Sequence, residues 1–287
     1  MARVLIFSLF LYTFMFTPYS VWATIYLQDG FESGNLSSPT GVGSWGASNY
    51  SKAGGDLVSV SSEFAHSGSY ALRMLYNGNE SSSDDAWCEQ NFNIGQNVLE
   101  IYIGYDLYLP ANYAFRSTSP ANNKLILLDG GTHDDPMTVD VEWEGDSYGG
   151  FKMPRSGYPY SPTCASAPVS PGYIWGGAWP LSTYYGGWHR FVWRFKMDSG
   201  VGDGAYELYI DGVQFFSRTN VVVLNNPPCS PGYYAGGYLM GWANTGFDDD
   251  TIIYIDDVVM ASTYEEANGD DSPSTPSFTG VMTGSIR

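Results

Sequence analysis

The chain has 287 residues, of which 30 are acidic and 12 basic, so its formal net charge is −18. Nucleic acids and anionic membranes are bound through basic patches, so this charge excludes both as expected partners. Aromatic residues make up 16% of the chain and glycine contributes 34 residues, a composition typical of an all-β protein.

Residues 1–23 have the pattern of an export signal. Arg3 supplies a positive start, an apolar run covers residues 4–16, and Val21-Trp22-Ala23 fits a cleavage site. The apolar run is too short to favour a membrane span. We therefore expect a secreted, extracellular protein whose residues 24–263 form one domain, and we expect that protein to be a monomer.

Short runs of β-branched and aromatic residues, separated by turn signals, predict strands along this domain. Asp211-Gly212 lies between two of these runs and predicts a two-residue hairpin. The segment 158–185 is rich in Pro and Gly and predicts a long loop. The composition of residues 264–287 predicts a flexible tail. The predicted strands cover residues 57–60, 70–76, 99–107, 124–128, 137–144, 189–197, 206–210, 213–217, 238–242 and 251–260.

Three cysteines are present, an odd number for a secreted protein. Cys164 and Cys229 both lie in Pro-rich loops, and we predict a disulfide between them. Cys88 follows Trp87 in a strand-like segment, where we predict a buried free thiol.

Carboxylates lie beside strand-forming residues at both ends of the domain, in the segments 29–34 and 254–259. If the first and last strands pair, the carboxylates of Glu32, Asp256 and Asp257 come together. Oxygen ligands suit a hard cation, so these residues predict a structural Ca²⁺ site. Alternatively, Glu32 opens a turn and Asp256 or Asp257 ends a strand pairing.

Three further carboxylates alternate along one predicted strand. Asp140, Glu142 and Glu144 share one face of it, and Trp143 lies on the other. In a cleft, such a row separates the pKa values of an acid and a nucleophile, whereas on an outer face it is merely solvated. Lys124, on the preceding predicted strand, is a further catalytic candidate.

Elimination from a uronate needs a cation to neutralise the sugar carboxylate, and Lys124 and Arg155 are candidates for that role. Binding of sugar rings needs aromatic platforms. The candidates for platforms are Trp143, Trp175, Trp179, Tyr184 and Trp242.

Five segments, 29–34, 66–72, 187–194, 206–212 and 254–259, resemble those of the concanavalin-A-like jelly rolls. The order of these segments is similar to that in heparin-lyase-like polysaccharide lyases and laminarinase-type glycoside hydrolases. The resemblance implies an all-β sandwich of two curved antiparallel sheets, a concave face that receives glycan, and often Ca²⁺ joining the termini. Asp140-Val-Glu142-Trp-Glu144 resembles the hydrolases' Glu-x-Asp-x-Glu strand, from which it departs at Asp140.

These observations together predict a secreted jelly roll that cleaves an extracellular polysaccharide, either as a glycoside hydrolase or as a polysaccharide lyase. A non-catalytic carbohydrate-binding module and a surface adhesin are the alternatives. An enzyme requires the carboxylates of the 140–144 strand to face a groove with aromatic walls, whereas a binding module requires only the aromatic face.

Overall fold

Two antiparallel β-sheets pack face to face in the computed structural model of the chain. The structure describes residues 23–50, 55–78, 85–114, 122–130, 139–144, 150–154, 173–178, 181–199, 201–221 and 232–269. The backbone alone is described for 139–144, 150–154, 173–178, 181 and 221. No helix in these ranges is long and apolar enough to cross a membrane.

The strands follow one another along the chain with a single short helix at the end. They are β1 Ile25–Asp29, β2 Thr40–Gly41, β3 Ser44–Tyr50, β4 Leu57–Ser61, β5 Ala71–Tyr76, β6 Ala86–Val98, β7 Glu100–Tyr108, β8 Asn122–Asp129, β9 Val139–Glu144, β10 Gly150–Pro154, β11 Tyr173–Ala178, β12 Trp188–Lys196, β13 Gly204–Ile210, β14 Val213–Val221, β15 Tyr234–Leu239, β16 Trp242–Asn244 and β17 Thr251–Ala261, followed by α1 Tyr264–Asn268.

The first sheet has the order β14-β13-β12-β7-β17-β1-β2, and β5 and β4 extend it beside β17. One edge of β17 pairs with β7. The other edge pairs with β5 along residues 251–255 and with β1 along residues 258–261. The predicted pairing of the first and last strands is therefore confirmed. The register with β7 shifts between Asp256 and Val259, where Asp257 has a φ of 47°.

The second sheet has the order β11-β10-β9-β8-β15-β6, and β3 pairs with the free edge of β6. Strands β15 and β16 both lie between β8 and β6. Met240, with a φ of 57°, and Gly241 separate these two strands, so the single predicted strand 238–242 is broken there.

The core fills the space between the two sheets. Along β7, the alternate residues Ile101, Ile103, Tyr105 and Leu107 are buried in it, as period-two alternation requires. Trp193 of β12 is fully buried, and its indole N–H donates to the hydroxyl of Tyr105 at 2.8 Å. Because side chains alternate along a strand, the residues between these buried ones lie on the outer faces of the two sheets.

Helix α1 lies where the composition predicted a flexible tail, so that prediction is wrong for residues 264–268. Ala267 is fully buried beside Val192 and Val259 of the first sheet. Gly104 permits this packing, because a Cβ there would lie 1.8 Å from the carbonyl oxygen of Ala267. Residues 270–287 lie outside the described part of the chain.

The structure also decides several other predictions. The all-β sandwich is confirmed, as is the Asp211-Gly212 hairpin, whose residues both have positive φ. Cys88 is a buried free thiol, as predicted. The long loop predicted for 158–185 is wrong for Tyr173–Ala178, which form β11. Cys164 and Cys229 lie outside the described residues.

Phe64 packs onto the outer face of the first sheet, where its ring centroid lies 4.8 Å from that of Tyr108 and 5.4 Å from those of Trp188 and Tyr254. Because Phe64 is 39% exposed, we expect Phe64→Ala to lower the free energy of unfolding by about 1–2 kcal/mol. Urea denaturation measures this change. Val201→Ala, at a side chain that is 81% exposed, is the control, and an equal effect of the two would contradict this role of Phe64.

Candidate functional site

Lysine and glutamate positions meet across the middle of the second sheet. Lys124 of β8 is paired with residue 142 of β9, and residue 142 is paired in turn with residue 152 of β10. Directly paired residues of antiparallel strands share a face of the sheet. Positions 124, 142 and 152 therefore form a cross-strand line of lysine, glutamate and lysine.

This line lies on the face of the sheet that points away from the core. Asn123, next to Lys124, is fully buried and its side chain contacts the hydroxyls of Tyr76 and Tyr113. Lys124 is half-buried on the opposite face. Position 143 is paired with Asn123, so it lies on the core side of the sheet. Positions 140, 142 and 144 consequently lie on the outer side, in agreement with the alternation predicted from the sequence.

The line continues in both directions to aromatic residues. Residue 152 is paired with residue 175 of β11. On the other side, Ala243 of β16 is paired with Asn123, so Trp242, next to Ala243, lies on the strand adjacent to Lys124. Trp242 is paired with Trp87 of β6. We call these six positions, 87, 242, 124, 142, 152 and 175, the outer row.

Gly241 brings Lys124 close to the neighbouring strand. A Cβ at position 241 would lie 2.9 Å from Cε2 of Tyr238 and 3.0 Å from Cβ of Lys124. The Tyr238 ring and the Lys124 stem thus flank the same glycine. Tyr238 is 2% exposed and does not belong to the core between the sheets, so its ring packs beside Lys124 on the outer face of the second sheet.

A buried carboxylate lies near one end of the outer row. Glu89 of β6, two residues from Trp87, is buried, and it accepts a hydrogen bond from the side-chain amide of Asn49 at 3.3 Å. Asn49 and Glu89 are paired residues of β3 and β6. The outer face of this sheet thus offers carboxylate, amide, lysine and indole groups, the set that binds sugar hydroxyls and rings.

Two other predicted substrate-binding residues, Tyr184 and Trp143, are not brought to the outer row. Tyr184 lies on the 3-10 turn Leu181–Tyr184 and packs against His189, Phe191 and Phe215, with ring centroids 5.0, 6.3 and 6.0 Å away. Position 143 lies on the core side. Trp179 and Arg155 lie outside the described residues. Trp87 was missed by sequence reasoning, because only the register of β6 with β16 gives it a place in the row.

The three terminal carboxylates meet at one turn, residues 66–70. Both oxygens of Glu32 accept the N–H of Ser69, at 2.9 and 3.0 Å, and Oε1 also accepts the N–H of Tyr70. Oδ2 of Asp256 accepts the N–H groups of His66 and Ser67, at 2.9 and 3.1 Å, and Oδ1 accepts the N–H of Asp257. Burial raises the pKa of Asp256 to about 6.

The contacts of Glu32 and Asp256 fit the alternative role of closing a turn. Each carboxylate accepts three N–H contacts, which take three of about four lone-pair sites and leave little for a shared cation. Asp257 belongs to a different group. One carboxylate oxygen of Asp257, one of Asp106 and a ring nitrogen of His66 lie within 4.8 Å of one another, the one such group within the described ranges. The calcium site predicted from the sequence is untested, and these contacts favour the alternative in which the carboxylates close a turn.

Arg190 already supplies a positive charge to this second group. Its guanidinium donates to Oδ2 of Asp106 at 3.0 Å and to the carbonyl oxygens of Asp257 and Ala267 at 2.7 and 2.5 Å. Burial raises the pKa of Asp106, and the Arg190 charge opposes that rise. His66 Nδ1 lies 3.4 Å from Asp106 and 3.2 Å from Asp257. The cluster therefore joins the 66–70 turn, β7, β12, β17 and α1.

Removal of calcium tests the ion prediction directly. Because Arg190 and main-chain N–H groups satisfy these carboxylates, we expect EDTA to leave the melting temperature unchanged within about 1 °C. Differential scanning calorimetry at several concentrations of added Ca²⁺ provides the measurement. A melting temperature that rises with free Ca²⁺, as mass action requires of a bound ion, would contradict this and would support the calcium site.

No family model matches the chain, and no curated protein matches its sequence. Solved structures do match its fold. An endo-β-1,4-glucuronan lyase from the fungus Trichoderma reesei aligns with a TM-score of 0.55 at 15% identity, over 78% of this chain and 94% of that one. An alginate lyase from Chlorella virus aligns with a TM-score of 0.51 at 13% identity, over 83% and 98%. A third structure, described with endo-acting O-glycanases of the human gut microbiota, aligns with a TM-score of 0.50 at 13% identity, over 84% and 100%. This confirms the predicted resemblance to the jelly rolls of polysaccharide-active proteins, and at these identities the likeness concerns the fold.

Proposed function

We propose that the chain is a secreted polysaccharide lyase that cleaves a uronate-containing polymer at the outer face of its second sheet. The observation that carries this proposal is the outer row, in which two lysine positions flank a glutamate position between aromatic ends. The lyases that share the fold act on glucuronan and alginate, both polymers of uronates, and this adds support.

The chemistry follows from what a β-elimination requires. The Lys124 ammonium neutralises the carboxylate of the uronate, which makes the proton at C5 more acidic. A carboxylate of the 140–144 row takes that proton, the C5–H electron pair forms a C4=C5 double bond, and the C4–O bond breaks. The leaving oxygen takes a proton from an acid of the site. The product is an unsaturated uronate.

Four described cations of the first sheet, Arg73, Arg190, Arg194 and Lys196, are already paired with carboxylates. The net charge of −18 repels an anionic polymer at long range, so its binding depends on local contacts with the lysine and aromatic positions of the outer row. Added salt screens that long-range repulsion, and we expect the polymer still to bind at the local site when salt is added.

The test is incubation of the purified chain with glucuronan, with alginate and with the neutral β-glucan laminarin. A lyase produces ultraviolet-absorbing unsaturated uronates from one of the acidic polymers and no new reducing ends from laminarin. New reducing ends without ultraviolet absorbance would overturn the lyase proposal in favour of hydrolysis. Binding with neither product would leave a carbohydrate-binding module.

Hydrolysis is the second candidate, because Asp140, Glu142 and Glu144 occupy positions on the outer side of β9. Glu144→Gln removes a proton donor with little change in volume, so it abolishes cleavage of a neutral glucan if the row is the hydrolytic pair. A lyase in which Lys124 neutralises the substrate loses its activity when that lysine is replaced. A hydrolase of a neutral glucan does not depend on it.

A further inference from the structure

Two tryptophans form one end of the outer row. The indoles of Trp87 and Trp242 are stacked, with ring centroids 4.7 Å apart and an angle of 11° between their planes. Their neighbours Ala86, Cys88 and Ala243 are buried in the core, so alternation places both indoles on the outer face. Both are half-buried, and neither belongs to the core.

The position of this pair relative to Lys124 gives it a function. Neighbouring strands lie about 4.8 Å apart, so Trp242 and Trp87 lie one and two strand spacings from Lys124 along the row. That step is close to the length of one sugar unit in an extended chain. A polymer that crosses the strands with one uronate at Lys124 therefore brings its neighbouring units to the indole pair. Because the two rings stack on each other, each offers the sugar only the face that its partner leaves uncovered.

We infer that Trp87 and Trp242 form a sugar-binding platform that holds the units of the polymer adjacent to the one cleaved at Lys124. This inference rests on the proposed function for the identity of the polymer. The C–H faces of pyranose rings stack on indoles whatever charge the sugar carries, so the platform contributes affinity and Lys124 contributes charge recognition.

The outer row also predicts whether the enzyme cleaves within chains or at their ends. From position 87 to position 175 it spans six strands, or roughly 24 Å, with aromatic residues at both ends. The lysine positions lie between these ends. A polymer thus extends on both sides of the reacting unit, the arrangement of an enzyme that cleaves within chains. Long oligomers are therefore expected to be better substrates than disaccharides.

Binding is measured by isothermal titration calorimetry in the Lys124→Ala background, so that cleavage does not interfere. Glucuronan and alginate oligomers of six units are the probes. We expect Trp242→Ala to weaken binding of the preferred oligomer about tenfold, and Trp242→Phe, which keeps a ring, to weaken it less. In the otherwise unaltered enzyme, Trp242→Ala raises KM with a smaller change in kcat.

The control is Trp188→Phe, at a tryptophan on the outer face of the other sheet, and we expect it to leave affinity unchanged. Unaltered affinity of Trp242→Ala would overturn the platform, as would an equal loss in Trp188→Phe. Absence of oligomer binding to the Lys124→Ala protein would overturn it as well. If the unaltered enzyme binds through Trp242 but yields no unsaturated product, the platform stands and the lyase proposal fails.

Discussion

Lys124→Ala is expected to lower kcat/KM on a uronate polymer about 100-fold or more while the chain remains folded. The reason is that the ammonium group stabilises negative charge as it develops on the uronate carboxylate, and removal of one such group typically costs this much. Lys124→Arg keeps the positive charge on a larger head group, so we expect it to retain part of the activity. The rate of increase in ultraviolet absorbance measures both variants.

Lys196→Ala provides the matched control. Lys196 also lies on a strand, but in the first sheet, where it pairs with the exposed Asp203 at 2.9 Å. The loss of an exposed ion pair costs little stability, so activity should be unaltered. Full activity of Lys124→Ala would remove Lys124 from the site, and an equal loss in Lys196→Ala would show that the effect is one of overall charge.

Arg190→Met is expected to lower the free energy of unfolding by about 3–5 kcal/mol, because it leaves a buried carboxylate without its cation. The side chain of Arg190 is 13% exposed and that of Asp106 is 9% exposed. The carbonyl oxygens of Asp257 and Ala267 lose their donor as well. Methionine keeps most of the apolar stem, so the loss reports the polar contacts. Denaturation in guanidinium chloride measures it.

Two comparisons make this result specific. Arg73→Met removes an ion pair with Glu63, whose side chain is 64% exposed, so we expect a loss below about 1 kcal/mol. Arg190→Met combined with Asp106→Asn removes the orphaned charge too, so the double variant should be more stable than Arg190→Met alone. Equal losses in Arg190→Met and Arg73→Met would contradict the role of the cluster.

Much of the fold was predictable because its strands carry a local signal. Alternation and turn residues predicted β4, β5, β7, β8, β9, β12, β13, β14 and β17, and Asp211-Gly212 predicted the hairpin between β13 and β14. Strand β6 lacked that signal, since its inward face includes Gln90, a buried polar residue that bonds to Ser48 and to the carbonyl oxygen of Gly46. Strands β10 and β11 contain Gly or Pro, which read locally as loop residues.

The site was predictable only in its parts. The alternation of residues 140–144 gave the face of each carboxylate, and Lys124 was recognised as the nearby cation. Their alignment depends on register across six strands, and register follows from tertiary packing rather than from any one segment. Trp87 is separated from Trp242 by most of the chain, so no local pattern connects the two. The Arg190 cluster was missed for the same reason, since it joins residues from five elements.

The pairing of β17 has a consequence for when the protein can fold. Residues 251–261 fill the space between β7 on one side and β5 and β1 on the other, and they follow all three of those strands along the chain. Until they emerge from the ribosome, these three earlier strands lack the neighbour that joins them, and their edges stay open to wrong partners. Contacts so distant in sequence also form slowly. The first sheet therefore stays open until β17 has been synthesised.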